Sequence, residues 1–165
     1  MTRPVVAREP AVAFAGAAPP VASSGAIEIV GRRLFKSPPQ SRAEIHRALV
    51  KGVPYAMLVN LVGQLGALSV DEVAAAVGIS GRTLRRHQEQ PGKTMPPDLA
   101  SRTWQFAEVL AQAVAVFGSR AAAEAWMAAP AMGLDGARPI DLLRTLQGAE
   151  LVTEFLGRLE HGVYT

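Results

Sequence analysis

The chain has 165 residues and a formal net charge of +3; 49% of its residues are hydrophobic but only 5% aromatic, so Ala, Val and Leu must fill the core of one or two small domains, which favours helices over a β-sandwich. The absence of cysteine excludes a disulfide scaffold, a thiolate zinc site and a cysteine nucleophile, and His46, His87 and His161 are too widely spaced for a histidine metal motif. No apolar run approaches the roughly 20 residues needed to cross a bilayer, and Glu9, Pro10, Pro19 and Pro20 interrupt any signal-peptide core, so a soluble cytoplasmic chain is expected.

Residues 1–40 read as a flexible arm. Residues 1–25 are Ala, Pro, Val, Gly and Ser without a helical or strand period. Ala26 to Val30 fits a short extended segment ended by Gly31, and Ser37-Pro38-Pro39-Gln40 breaks the chain. A chain beginning at Ser41 is therefore expected to fold and dimerise without the arm.

Helical patterning starts at Ser41, which caps a helix and forms a capping box with Glu44; Ile45 and Leu49 share a face and Gly52 stops it. Pro54 opens the next helix, whose buried stripe is Leu58, Leu61, Val62 and Leu65. Ser69 and Glu72 form a second capping box before Val70, Val73, Ala74 and Val77, and Gly78 ends that helix. Ser80 caps a helix running to about Gln90. A long helix follows from Pro97 to Phe117, and Ser119 caps another to Ala129. After a loop, Pro139 opens a helix through Leu146, and Gly148 separates it from a last helix over 149–159. Strands do not alternate with these helices, so an α/β enzyme fold is not expected.

Val70 to Glu89 fits a helix-turn-helix. Ala74, Gly78 and Leu84 supply the small residue at the helix crossing, the residue tolerant of positive φ in the turn, and the apolar anchor of the second helix. Arg82, Arg85 and Arg86 stack at i, i+3 and i+4 on the outward face of that second helix, flanked by Thr83 and His87. Such arginines suit guanine edges or phosphates in a major groove, and Ser80 with the free amides at the helix start suits a phosphate. A plain solvated face is the competing reading. Charge agrees with a polyanion partner for one part of the chain only: residues 1–40 and 41–104 each carry +3, whereas 105–165 carries −3. Operators are usually read by two recognition helices about 34 Å apart, which implies a homodimer.

The second half carries Ala125-Trp126-Met127, Pro130, Gly133-Leu134-Asp135-Gly136, Pro139-Ile140-Asp141-Leu142-Leu143, Thr145, Gly148-Ala149-Glu150 and Leu156-Gly157-Arg158-Leu159-Glu160-His161-Gly162-Val163-Tyr164. This series resembles the toxin-binding domain of the Xre/MbcA/ParS antitoxins, the partners of RES-domain toxins, and the resemblance covers roughly residues 41–165. It implies an all-α protein with an Xre/Cro-like helix-turn-helix domain at 41–104 and a small helical toxin-binding domain at 105–165. Independently of the resemblance, no metal cluster, P-loop, glycine-rich dinucleotide loop or triad is visible in the sequence, so neither an enzyme nor a cofactor is expected. The partners that the resemblance implies are a RES toxin acting on NAD, which the protein neutralises, and operator DNA, through which the pair represses its own operon. The arm at 1–40 is long for the family.

Trp126 fits either a core anchor or a toxin contact, and Leu142 and Leu143 are expected to split between core and neighbour. Arg158, His161, Val163 and Tyr164 complete the candidate toxin contacts, and the tail from Arg158 to Thr165 is expected to lie at the mouth of the toxin's NAD site. The alternative is a stand-alone helix-turn-helix regulator whose second half only dimerises or binds a ligand.

Overall fold

The computed structural model of the chain describes residues 22–35 and 39–162. Over these residues the chain is all-α, as its composition and periodicity indicate. The helices are α1 (Ala22–Val30), α2 (Arg42–Lys51), α3 (Ala56–Gly63), α4 (Val70–Val77), α5 (Gly81–Gln88), α6 (Pro97–Phe117), α7 (Arg120–Ala128), α8 (Pro139–Leu142) and α9 (Leu146–Glu160). Extended pairing among the described residues is limited to a single bridge between Pro54 and Thr94. None of the described helices is, by itself, long and apolar enough to cross a membrane.

Hydroxyl caps set most helix starts. Ser41, Ser69, Ser80, Ser119 and Thr145 each accept the amide hydrogen of the residue three places on. The box at Ser69 is reciprocal, with Glu72 accepting the Ser69 N–H at 2.9 Å. At Ser41 only half the expected box forms, because Glu44 reaches one residue further back and accepts the Gln40 N–H at 2.7 Å.

The 21-residue α6 is the spine of the molecule. Six helices pack on it, α1 to α4 together with α7 and α9. Its Trp104, Phe106, Ala107 and Leu110 are buried among them. The expected domain limit at residue 104 falls inside this helix.

The stretch expected to be a flexible arm with an extended segment at 26–30 is corrected over its described part. Ala22–Val30 is helical, and Ala26, Ile27, Ile29 and Val30 are all buried. Gly25 lets α1 approach α6 closely: a Cβ there would stand 2.9 Å from Cβ of Ala111. From α3, Asn60 donates to the Val30 carbonyl at 3.2 Å and Gln64 to the Ile29 carbonyl at 2.6 Å, satisfying acceptors that the helix end leaves free. Residues 1–21 lie outside the described part.

The end of the chain differs from expectation in a second way. Gly148 does not separate two helices; it sits in the first turn of α9, donating its N–H to Thr145 Oγ1 at 3.0 Å. A Cβ there would come within 2.0 Å of the Leu142 carbonyl oxygen, so glycine is what allows α9 to start against the end of α8. Gly148→Ala is expected to force the two helices apart, at a cost of about 1–3 kcal/mol. For a chain of this size thermal denaturation should register that as a fall of roughly 5 °C in Tm.

Side chains tie the N-terminal helices to the C-terminal ones. The carboxylate of Glu124 on α7 is buried, and its Oε2 accepts the N–H groups of Gly66 at 2.8 Å and Ala67 at 2.7 Å in the loop before α4. Arg138, just ahead of α8, pairs with Glu72 in the first turn of α4. The Ser69 backbone N–H, the Ser69 hydroxyl and Arg138 together hold the Glu72 carboxyl below its ordinary range.

Candidate functional site

The helices α4 and α5 form the helix-turn-helix. Ala74 and Leu84 are fully buried at their contact. Gly78 takes the left-handed conformation at φ 83°, and the Ile79 N–H returns to the Ala74 carbonyl at 2.9 Å to close α4. The next helix begins after Ser80, so the turn is short and its geometry fixed.

The side chains of Arg82, Arg85 and Arg86 are all exposed on α5. Arg85 is engaged: its Nη1 lies 3.2 Å from Asp71 Oδ1 at the start of α4. Ser80 and Thr83 are turned toward each other. The Ser80 hydroxyl accepts the Thr83 N–H at 3.1 Å, and the two hydroxyl oxygens are 2.8 Å apart. His87 does not flank the arginines as expected. It is buried and stacked on Tyr55, with ring centroids 3.6 Å apart and 9° between planes. Its position three residues after Leu84, on the inward face, was the sequence signal for this.

The C-terminal helices build an aromatic wall. Trp126 is half-buried between Phe117, at 5.1 Å between ring centroids, and Phe155, at 6.1 Å and nearly parallel. Gly133 lies against the edge of Phe155, where a Cβ would come within 2.1 Å of the ring. The guanidinium of Arg158 stands 5.6 Å over the Phe155 ring, within cation–π range. Beside Gly133, Met132 is 92% exposed. Leu143 is buried and Leu142 half-buried. His161 is exposed, with Nδ1 2.8 Å from the Gly157 carbonyl. Val163 and Tyr164 lie outside the described residues. The structure thus brings Trp126 and Arg158 together around Phe155, a residue that sequence reasoning missed because nothing in the local pattern marked it.

Residues 44–108 match the Antitoxin Xre-like helix-turn-helix domain, and residues 112–162 match the Antitoxin Xre/MbcA/ParS C-terminal toxin-binding domain. A protein named Antitoxin Xre from Yersinia enterocolitica is 32% identical over 131 residues, covering 77% of this chain and 86% of that protein. The chain belongs to the Xre antitoxin family. Two further proteins named Antitoxin Xre are each 29% identical: one from Photorhabdus laumondii, with 76% of this chain and 84% of that one covered, and one from Pseudomonas putida, with 72% of each. The two matched domains meet within α6, so in this Xre antitoxin one helix serves both.

The buried His87 gives this antitoxin a pH signature. Burial holds its ionisation below the ordinary value of 6.5, and the charges of Arg86 and Lys93 act in the same direction. Its Nδ1 is buried without a hydrogen-bond partner. The folded chain therefore takes up the proton at a lower pH than the unfolded chain, which protonates near pH 6.5. The stabilisation is complete above that pH and is lost as pH falls from 6.5 toward the lowered value. Thermal melts should show a fall in Tm below pH 6.5, and His87→Phe, which keeps a ring on Tyr55, should flatten it.

Proposed function

We propose that this Xre-family antitoxin neutralises a RES-domain toxin acting on NAD and, as a homodimer bound to operator DNA, represses its own operon in the cytoplasm. The observation that carries this reading is the toxin-binding domain match over 112–162. The RES assignment is supported by the series from Trp126 through Pro139-Ile140-Asp141-Leu142-Leu143 to Gly148-Ala149-Glu150. In this reading Trp126, Leu142, Arg158 and His161 contact the toxin, and Val163 and Tyr164 extend that contact over its NAD site. The −3 balance of residues 105–165 suits a cleft made basic to hold a dinucleotide. On the DNA side, Arg82, Arg85 and Arg86 approach the major groove, with Ser80 and Thr83 at the helix start.

The test is co-expression with the product of the neighbouring gene, which this reading expects to be a RES-domain protein. Neutralisation predicts normal growth, an undiminished NAD pool and co-purification of the two chains. Continued NAD loss with no co-purification overturns the proposal. Removing His161–Thr165 separates the roles of tail and body: a covering tail predicts that the complex still forms but NAD consumption returns. Full inhibition by the shortened chain assigns occlusion to the helices instead.

A further inference from the structure

We infer that Asp71 and Gly81 together hold Arg85 as the base-reading arginine of α5, directed at the major-groove edge of a guanine, while Arg82 and Arg86 serve phosphates. This inference rests on the reading that α5 enters the major groove.

The three arginines look equivalent in sequence but not in the fold. Arg85 is paired with Asp71 at 3.2 Å, and neither Arg82 nor Arg86 forms an ion pair among the described residues. The pair is built over a glycine. A Cβ on Gly81 would fall 1.6 Å from Asp71 Oδ1, 2.8 Å from its Cγ and 3.2 Å from Arg85 Nη2. Any side chain at 81 would therefore displace the carboxylate from the guanidinium. The pair spans the two helices of the motif, so the position of Arg85 is referred to α4 as well as to α5.

An exposed ion pair of this kind adds little stability, since the Asp71 and Arg85 side chains remain 69% and 55% exposed. Its effect is on orientation. A free arginine samples many rotamers and binds phosphates without regard to sequence. One whose Nη1 is drawn to a carboxylate 3.2 Å away samples fewer of them and has its Nε and Nη2 hydrogens left for a second, parallel pair of acceptors. That fork matches the O6 and N7 acceptors of guanine. The Asp71 carboxylate beside the start of α5 also repels phosphate there, which favours the base edge over the backbone at this point.

The measurement is affinity at one fixed salt for two duplexes, the region immediately upstream of the gene and a shuffled sequence of the same composition. Asp71→Asn, Gly81→Ala and Arg85→Lys should each lower the ratio of the two affinities by about tenfold. Combining Asp71→Asn with Arg85→Lys should lower it no further than either alone, because both remove the same contact. Gly81→Ala leaves the charge unchanged, so its shuffled-duplex affinity should stay as it was. Replacing one operator guanine by 7-deazaguanine, which lacks the N7 acceptor, should weaken the unaltered protein and leave the Asp71→Asn variant indifferent. An unchanged ratio in Asp71→Asn and Gly81→Ala, with a fall in Arg85→Lys, would show that Arg85 reads bases without Asp71. An unchanged ratio in all three removes Arg85 from base readout. A ratio of one in the unaltered protein instead overturns the operator-reading role of α5 itself.

Discussion

A chain that begins at Ser41 should melt at least about 10 °C below the full-length protein, or fail to fold. The reason is α1, which lies between α3 and α6. Its Ile27, Ile29 and Val30 are 5%, 3% and 0% exposed. Burying each such side chain is worth about 1.5–3 kcal/mol, and ordering the nine-residue helix offsets part of that sum. The net loss is a few kcal/mol against a total stability of about 5–15 kcal/mol. Truncation also uncovers the side of α6 around Ala111 and leaves Asn60 and Gln64 without their carbonyl acceptors in α1. Melting curves with a dye that reports exposed apolar surface give the readout. Ile27→Asp in the full chain should reproduce most of the fall. An unchanged Tm in both would show that α1 contributes nothing to the core.

Arg82→Ala combined with Arg85→Ala should abolish operator binding while leaving toxin neutralisation intact. Each arginine contact to a base edge or phosphate contributes on the order of 1–3 kcal/mol, so losing two weakens binding by roughly a hundredfold or more. Titrations over a salt series should also show a shallower slope for each phosphate contact removed. The double variant should fold normally, because both side chains are exposed and only the Arg85–Asp71 surface pair is lost. Toxin inhibition should persist, since α5 packs chiefly on α3 and α4. Retained operator affinity would take the DNA-reading role away from α5.

Capping chemistry made much of the fold legible. The serines at 41, 69, 80 and 119 cap as read, and Gly52, Gly78 and Gly118 close α2, α4 and α6. These are local interactions, written within four residues of sequence. The first helix was not legible. Ala-Ser-Ser-Gly-Ala-Ile-Glu-Ile-Val has a glycine inside and three β-branched residues at its end, and by propensity it favours an extended chain. Packing on α6 and the amides of Asn60 and Gln64 override that preference. The inter-module ties were equally hidden: Glu124 meets residues 57 and 58 positions away, and Arg138 meets one 66 positions away. At the candidate site the arginine stripe was visible from its spacing, but the inequality among its members was not. It depends on Asp71, which the turn folds back over Gly81.

The continuous helix α6 has a consequence for how such antitoxins can diverge. It passes from one matched domain to the other without a break, over 21 residues or about 31 Å. Inserting one residue near its middle would rotate everything downstream by about 100° and advance it by about 1.5 Å. Trp104 and Phe106 would then keep their neighbours while Ala113 and Phe117 lost theirs. The Glu124 and Arg138 ties would be pulled off their partners at the same stroke. A hybrid joining the helix-turn-helix domain of one antitoxin to the toxin-binding domain of another must therefore conserve the length of α6 to the residue. It must also carry the Glu124 and Arg138 partners across with it. An exchange that ignores this register breaks the packing on both ends of α6.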